Sequence, residues 1–159
     1  EPDDRTINWY WSEDGCVGKT SFCKYLSVKH DACLLQGKGA DVRNGVVTWF
    51  KDKGYHPELV IFPIPASYNT DYLNYEAIEQ VKDMYFYSGK YEGGDVVGAC
   101  PHLFVFANEP PDESKLKPDR WRVVKLERAE PLGGGVSVPA SGGGGTRTSR
   151  GLSPLEVEI

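Results

Sequence analysis

Ile7-Asn8-Trp9-Tyr10-Trp11 followed by Ser12-Glu13-Asp14-Gly15-Cys16-Val17-Gly18-Lys19-Thr20 is the stretch on which the reading of this chain turns. An apolar run, a glycine turn and then Lys-Thr opening a helix is an arrangement that suits a polyphosphate. Backbone N–H groups of such a turn point at phosphate oxygens, the lysine reaches the outer phosphates, and the hydroxyl holds Mg²⁺. The expected binding set is therefore Gly15, Cys16, Val17, Gly18, Lys19, Thr20 and Ser21, with Thr20 as the metal-side hydroxyl. One departure from the pattern G-x-x-x-x-G-K-[ST] is visible: Glu13 stands where the first glycine belongs, and Gly15 follows two residues later. Downstream, Phe22, Tyr25 and Leu26 recur at i, i+3, i+4, which predicts a helix from about Lys19 to Val28.

Further along, His30 to Leu35 reads as a second strand and Asp41 to Lys53 as a helix ended by Gly54. Leu59-Val60-Ile61-Phe62 is a continuous apolar run, the pattern of a strand covered on both faces. Asn69-Thr70-Asp71 predicts the cap of a long helix from about Tyr72 to Tyr87, with Leu73, Ala77, Val81 and Met84 facing the core. Ser88 to Gly94 reads as a polar loop or hairpin, Leu103 to Ala107 as a buried strand ending at Asn108, and Arg122 to Leu126 as a last strand. Strands alternating with helices predict an α/β fold with a mainly parallel central sheet flanked by helices. In such a sheet the carboxyl ends of the strands gather on one edge, where ligands bind.

With 159 residues, 40% of them hydrophobic, the chain is long enough for one well-cored domain. The expected boundaries are 1–130 for that domain and 131–159 for a flexible tail, because Gly133-Gly134-Gly135 and Gly142 to Gly145 cannot bury a core. Glu1-Pro2-Asp3-Asp4-Arg5 reads as a linker, as in a domain taken from something longer. A net charge of −5 means that nucleic acid would be held by a local patch and not by the overall field. No apolar run reaches the length of a membrane span, so no membrane partner is expected. Cys16, Cys23, Cys33 and Cys100 form no zinc-like pairs and the three histidines are scattered, which points to a reducing intracellular setting.

In their order along the chain, the segments RTINWYWSEDGCVGKTSFCKYL, LVIFPIPAS, DYLNYEAIEQVKDMYFYSGKYEGG, HLFVFANEPPD and LKPDRWRVVKL resemble the superfamily 3 helicase domain of replication-initiator (Rep) proteins of small circular single-stranded DNA viruses, nearest to the nanovirus and circovirus kind. They span about residues 5 to 127. The resemblance implies an AAA+-like P-loop NTPase fold, ATP and Mg²⁺ as cofactors, and single-stranded DNA as partner, with RNA open because RNA-virus helicases share the motif set. It also implies a homo-oligomer, in the form of a hexameric ring, working in rolling-circle replication in the host nucleus. Lys19 would contact the phosphates, Asn108 would be the polar sensor near the γ-phosphate, and Lys90, with Tyr91 beside it, would track DNA. Arg120 would reach the neighbouring subunit's nucleotide.

Against this pattern stands Pro63, in the place where the family's second core strand ends in aspartate, and Ala66 replaces an arginine. Proline offers no oxygen to polarise water or to support Mg²⁺. Glu58 lies at the wrong end of the strand, and Asp71 could substitute only if its loop folds back. Two readings remain: an ATP-driven helicase, and a hydrolysis-deficient module that binds ATP, oligomerises and holds single strands. A small-molecule kinase fits less well, since the basic residues do not cluster as a lid.

Overall fold

A computed structural model describes residues 1–91 and 93–129; the expected tail, 131–159, lies outside them. Five strands form one sheet: β1 (Ile7–Trp11), β2 (Cys33–Leu34), β3 (Leu59–Pro63), β6 (His102–Ala107) and β7 (Trp121–Lys125). Their order is β2-β3-β6-β1-β7, with every pairing parallel. A separate antiparallel hairpin joins β4 (Tyr85–Ser88) to β5 (Gly94–Val97). Three helices complete the described part, α1 (Lys19–His30), α2 (Gly39–Lys53) and α3 (Tyr75–Asp83).

The continuous apolar runs become strands because both faces of the sheet are covered. On one face Ile7, Trp9, Val60, Phe62, Leu103 and Val105 pack with residues from α2, α3 and the hairpin. On the other, Tyr10, Ile61, Phe104 and Phe106 meet Cys23 and Leu26 of α1. The expected face of α1 is adjusted here: Tyr25 stays 51% exposed and Cys23 takes the core position instead.

The expected long helix is not formed. Residues Thr70–Tyr72 make a 3₁₀ turn capped by Asn69, and α3 starts only at Tyr75, where the Asn74 side chain accepts from the Ala77 N–H. Met84 ends the helix in the left-handed conformation (φ 47°), its N–H bonding back to Gln80 and Val81 carbonyls. The aromatic run beyond it is a strand with period two: Tyr85 and Tyr87 face outward while Phe86 and Ser88 are buried. All four expected core residues, Leu73, Ala77, Val81 and Met84, are buried as predicted. The hairpin closes because residue 93 is glycine; a Cβ there would stand 1.7 Å from the Ser88 carbonyl oxygen. The second strand shrinks to Cys33–Leu34 because α1 runs on to His30 and is ended by Asp31, also left-handed (φ 49°).

Arg120 is 5% exposed and lies at the amino edge of the sheet, just before the Trp121 that pairs with Ile7. Its guanidinium donates to both Asp83 carboxylate oxygens (2.7 and 3.0 Å) and sits 3.1 Å from Glu79. The pair ties the entry to β7 onto the end of α3. A buried guanidinium fork of this kind leaves uncompensated acid when it is removed. Arg120→Ala is expected to lower unfolding free energy by about 1–3 kcal/mol in a denaturant titration, with Arg120→Lys recovering only part because it cannot span both oxygens. Unchanged stability in both variants would show that the clamp carries no load.

Candidate functional site at the carboxyl edge of the sheet

The site is assembled by strand register. Trp11 at the end of β1 pairs with Ala107 at the end of β6, and Pro63 at the end of β3 pairs with Phe106. Three chain segments therefore leave the sheet side by side: Ser12 toward the glycine turn, Ile64 toward a proline loop, and Asn108 toward Glu109. The exits are fastened by backbone bonds, with Ser12 N–H donating to the Ala107 carbonyl (3.2 Å) and Ile64 N–H to that of Phe106 (2.7 Å).

The glycine turn takes its shape from two residues with positive φ, Cys16 (65°) and Gly18 (88°). Gly18 is the N-cap of α1, in a conformation that suits glycine, and its carbonyl accepts from Phe22 N–H at 2.9 Å. No side chain caps α1 and no acid occupies its first turn, so its opening N–H groups face outward uncompensated. Cys16 holds its left-handed backbone without glycine's freedom, which is a local strain.

Lys19 is the first residue of α1, and its ammonium donates to the Asn108 side-chain oxygen (2.8 Å) and to the Ser12 carbonyl (3.3 Å). Burial pulls the Lys19 pKa below its ordinary value of 10.5. The two residues singled out from separate parts of the sequence thus meet at one point. Around them lies a cavity of about 620 Å³, bounded by Lys19 and Thr20 at one end and by apolar residues including Val28, Leu34 and Ile61. That volume is in the range of small-ligand sites. Pro63, Pro65 and Ala66 line it, and no carboxylate does. For a divalent ion the lining offers the hydroxyls of Thr20 and Ser27 and the amide oxygens of Gln36 and Asn108 but no carboxylate, so the donor set does not match a carboxylate-supported Mg²⁺ seat.

Other residues singled out in the sequence lie away from this cavity. Lys90 and Tyr91 come together at the tip of the hairpin, the ammonium 5.4 Å from the ring centroid, but Lys90 is also paired with Asp41 in the first turn of α2. That contact depresses the Asp41 pKa and raises the Lys90 pKa. Arg120, for which the resemblance implies a reach to another subunit's nucleotide, pairs within its own chain with Asp83 and Glu79, at the opposite edge from Lys19. Glu58 also stands at that amino edge, where its carbonyl accepts from His102 N–H.

Two groupings were not visible in the sequence. Thr70 donates its hydroxyl to the Glu109 carboxylate, so the loop after β3 does fold back, against the end of β6. Asp71, Glu109 and Asp112 share a cavity there. At the amino edge His30, His56 and His102, apparently scattered, line one cavity of about 800 Å³ together with Cys100. Among the described residues no group of His, Cys, Asp and Glu is arranged to hold a metal ion, and no helix is long and apolar enough to cross a membrane.

The chain matches no protein-family model. It is 35% identical over 127 residues, 78% of its length, to the protein Para-Rep C10 of Milk vetch dwarf C10 alphasatellite, and 36% identical over 126 residues to Para-Rep C2 of Subterranean clover stunt C2 alphasatellite. It is likewise 36% identical over 121 residues, 76% of its length, to the master replication protein of Faba bean necrotic yellows virus. The chain spans about two fifths of the length of these curated relatives, 43%, 42% and 39% respectively. An α/β unit with a parallel sheet, carrying Lys19 against Asn108, is in this chain a Rep-like domain, homologous to the replication proteins of nanoviruses and alphasatellites.

Proposed function

We propose that this domain binds and hydrolyses a nucleoside triphosphate, ATP by resemblance, and that it works as the P-loop motor of a viral replication initiator on single-stranded DNA. The observation that carries the reading is the Lys19–Asn108 contact at the mouth of the glycine turn. An ammonium and a carboxamide held 2.8 Å apart, beside helix N–H groups with no internal partner, form a preorganised cradle for a terminal phosphate. The sheet order, with β6 inserted between β1 and β3, places Asn108 beside the turn and supports the P-loop assignment.

In this reading the loop from Gly15 to Ser21 holds the phosphate chain. Lys19 gives up part of its bond to Asn108 in favour of a phosphate oxygen, and Asn108 is left to orient the attacking water. Thr20 would offer a hydroxyl to a divalent ion brought in with the triphosphate, and such an ion would neutralise phosphate charge. Lys90 and Tyr91 on the hairpin tip supply one cation and one ring toward a single strand, and several copies around a ring would multiply a contact that one acidic chain makes weakly. The missing acid at Pro63 favours a second reading, in which the domain binds nucleotide and assembles but turns over little.

Steady-state ATP turnover with Mg²⁺, with and without single-stranded DNA, separates the two. The motor reading expects turnover stimulated by DNA and reduced at least ~100-fold in Lys19→Ala, the scale on which loss of a preorganised charge acts. Tight nucleotide binding with no turnover in either condition would establish the assembly module.

A second expectation follows from the depressed Lys19 pKa. Only the protonated amine attracts phosphate, so nucleotide affinity should fall as pH rises through a value below 10.5, where an exposed lysine would still be charged. Fluorescence titration of a nucleotide analogue between neutral and alkaline pH reads this directly. Lys19→Arg, always charged, should flatten the profile if it binds at all; an equally steep decline in that variant would place the titrating group elsewhere.

A further inference from the structure

We infer that the cavity beside Lys19 binds its triphosphate as the metal-free polyanion, with Lys24 supplying the second positive charge. The inference rests on the nucleotide reading above and adds to it the ionic form of the ligand. A divalent ion does two things for a bound polyphosphate: it neutralises charge, and it bridges phosphate to protein oxygens, best where a carboxylate supports it. The lining of this cavity provides the first without an ion and lacks the support for the second.

Thr20, Cys23, Lys24, Ser27 and Val28 recur at i, i+3, i+4, i+7 and i+8, so one face of α1 is turned to the cavity. Lys24 is exposed there and makes no ion pair or hydrogen bond among the described residues. Lys19 is bonded only to oxygens without charge. Two ammonium groups and the opening N–H groups of α1, with no acid in its first turn, therefore border one space. The facing wall, from Pro63 to Ala66, carries no charge. A carboxylate at the end of β3 would repel a bare polyphosphate and call for a cation between them. With proline there, the repulsion and the support for the cation are lost together. The acids of the glycine turn do not restore either, since Glu13 is 3.3 Å from Lys125 and both Glu13 and Asp14 stand outside the lining. A divalent ion arriving on the nucleotide meets hydroxyl and amide oxygens alone, and it cancels charge that the two lysines attract.

The test measures the affinity of the full chain for a fluorescent, non-hydrolysable ATP analogue in Mg²⁺ and in EDTA, with thermal midpoints alongside. Wild-type affinity in EDTA should match that in Mg²⁺ within about threefold, or exceed it, because neutral oxygens give the ion little hold. Lys24→Gln should weaken the metal-free form about fivefold and the Mg²⁺ form less, the scale of an exposed charge. Pro63→Asp should weaken the metal-free form at least ~10-fold while the Mg²⁺ form stays within about threefold, a metal requirement that the wild type lacks. Pro63→Asn restores the N–H without the charge and should behave as the wild type. The inference is overturned by wild-type binding that Mg²⁺ strengthens about tenfold or more. It is equally overturned by unchanged metal-free affinity in Lys24→Gln, or by a metal requirement that appears in Pro63→Asn as well. In those cases Lys19→Ala still loses affinity in both solutions. No binding in either solution, or unchanged affinity in Lys19→Ala, would instead overturn the nucleotide reading beneath it.

Discussion

The parallel pairing of β1 with β6 is the constraint from which the candidate site follows. Because Trp11 stands opposite Ala107, the segments that continue from the two strands emerge level with each other. A shift of two residues along a strand would move one exit by roughly 7 Å, more than the Lys19 ammonium could follow while keeping its 2.8 Å bond to Asn108. The register is secured from the middle of the sheet. Trp9 is fully buried, lies parallel to Tyr75 at 6.4 Å and edge-on to Trp121 at 6.0 Å, and still reaches the Glu109 carbonyl with its indole N–H. One side chain thereby couples the packing of α3 and β7 to the backbone immediately after Asn108.

Around that edge the charges are arranged at unequal cost. Lys19 loses hydration and is compensated by two oxygens, neither of them charged, which keeps its attraction for an anion unspent. Lys82 shows the opposite arrangement at the amino edge. It is 1% exposed, donates to the Asp3 and Pro101 carbonyls at 2.6 and 2.7 Å, and lies 3.6 Å from the Asp3 carboxylate. Burial lowers its pKa and Asp3 opposes that shift. Together with Arg120 on Asp83 and Glu79, it closes the amino edge with ion pairs, whereas the carboxyl edge keeps a cation facing a cavity with no acid in its lining. The asymmetry leaves a cation uncompensated by acid at one end of the sheet and fastening ion pairs at the other.

Features that depend on nearest neighbours in sequence were legible without coordinates. The buried strands announced themselves as apolar runs, the glycine turn by its residues, and Asn108 by standing just past a strand. Contacts across long separations were not. Nothing in the order of residues says that Arg120 meets Asp83, that Thr70 reaches Glu109, or that three dispersed histidines line one cavity. The misjudged helix shows a subtler failure. Helical spacing from Leu73 to Met84 was sound, but Tyr85-Phe86-Tyr87 continues the apolar density with a period of two, and the switch falls at Met84 in a left-handed conformation for which methionine gives no sequence signal. The role expected of Arg120 comes from the family resemblance alone; its burial against Asp83 and Glu79 of α3 is a long-range contact with no local signal.

Pro63 bears on how far homology reaches. Proline inside a sheet usually forfeits a ladder bond and is confined to edges, and β3 is an interior strand between β2 and β6. Here the loss falls at the end of a ladder. Along β3 the Ile61 carbonyl faces β2, accepting from Leu35 N–H, while Ile64 N–H faces β6. By the two-residue alternation Pro63 turns its nitrogen toward β2, where the Leu35 carbonyl, just past the end of that strand at Leu34, would be the next acceptor. The bond forgone is the last that the β2–β3 ladder could make, and β3 keeps its register with β6 through Pro63 opposite Phe106. Likeness of sequence to the viral replication proteins thus accommodates a proline at the end of β3, because a ladder end, and not the interior of the sheet, absorbs the missing N–H.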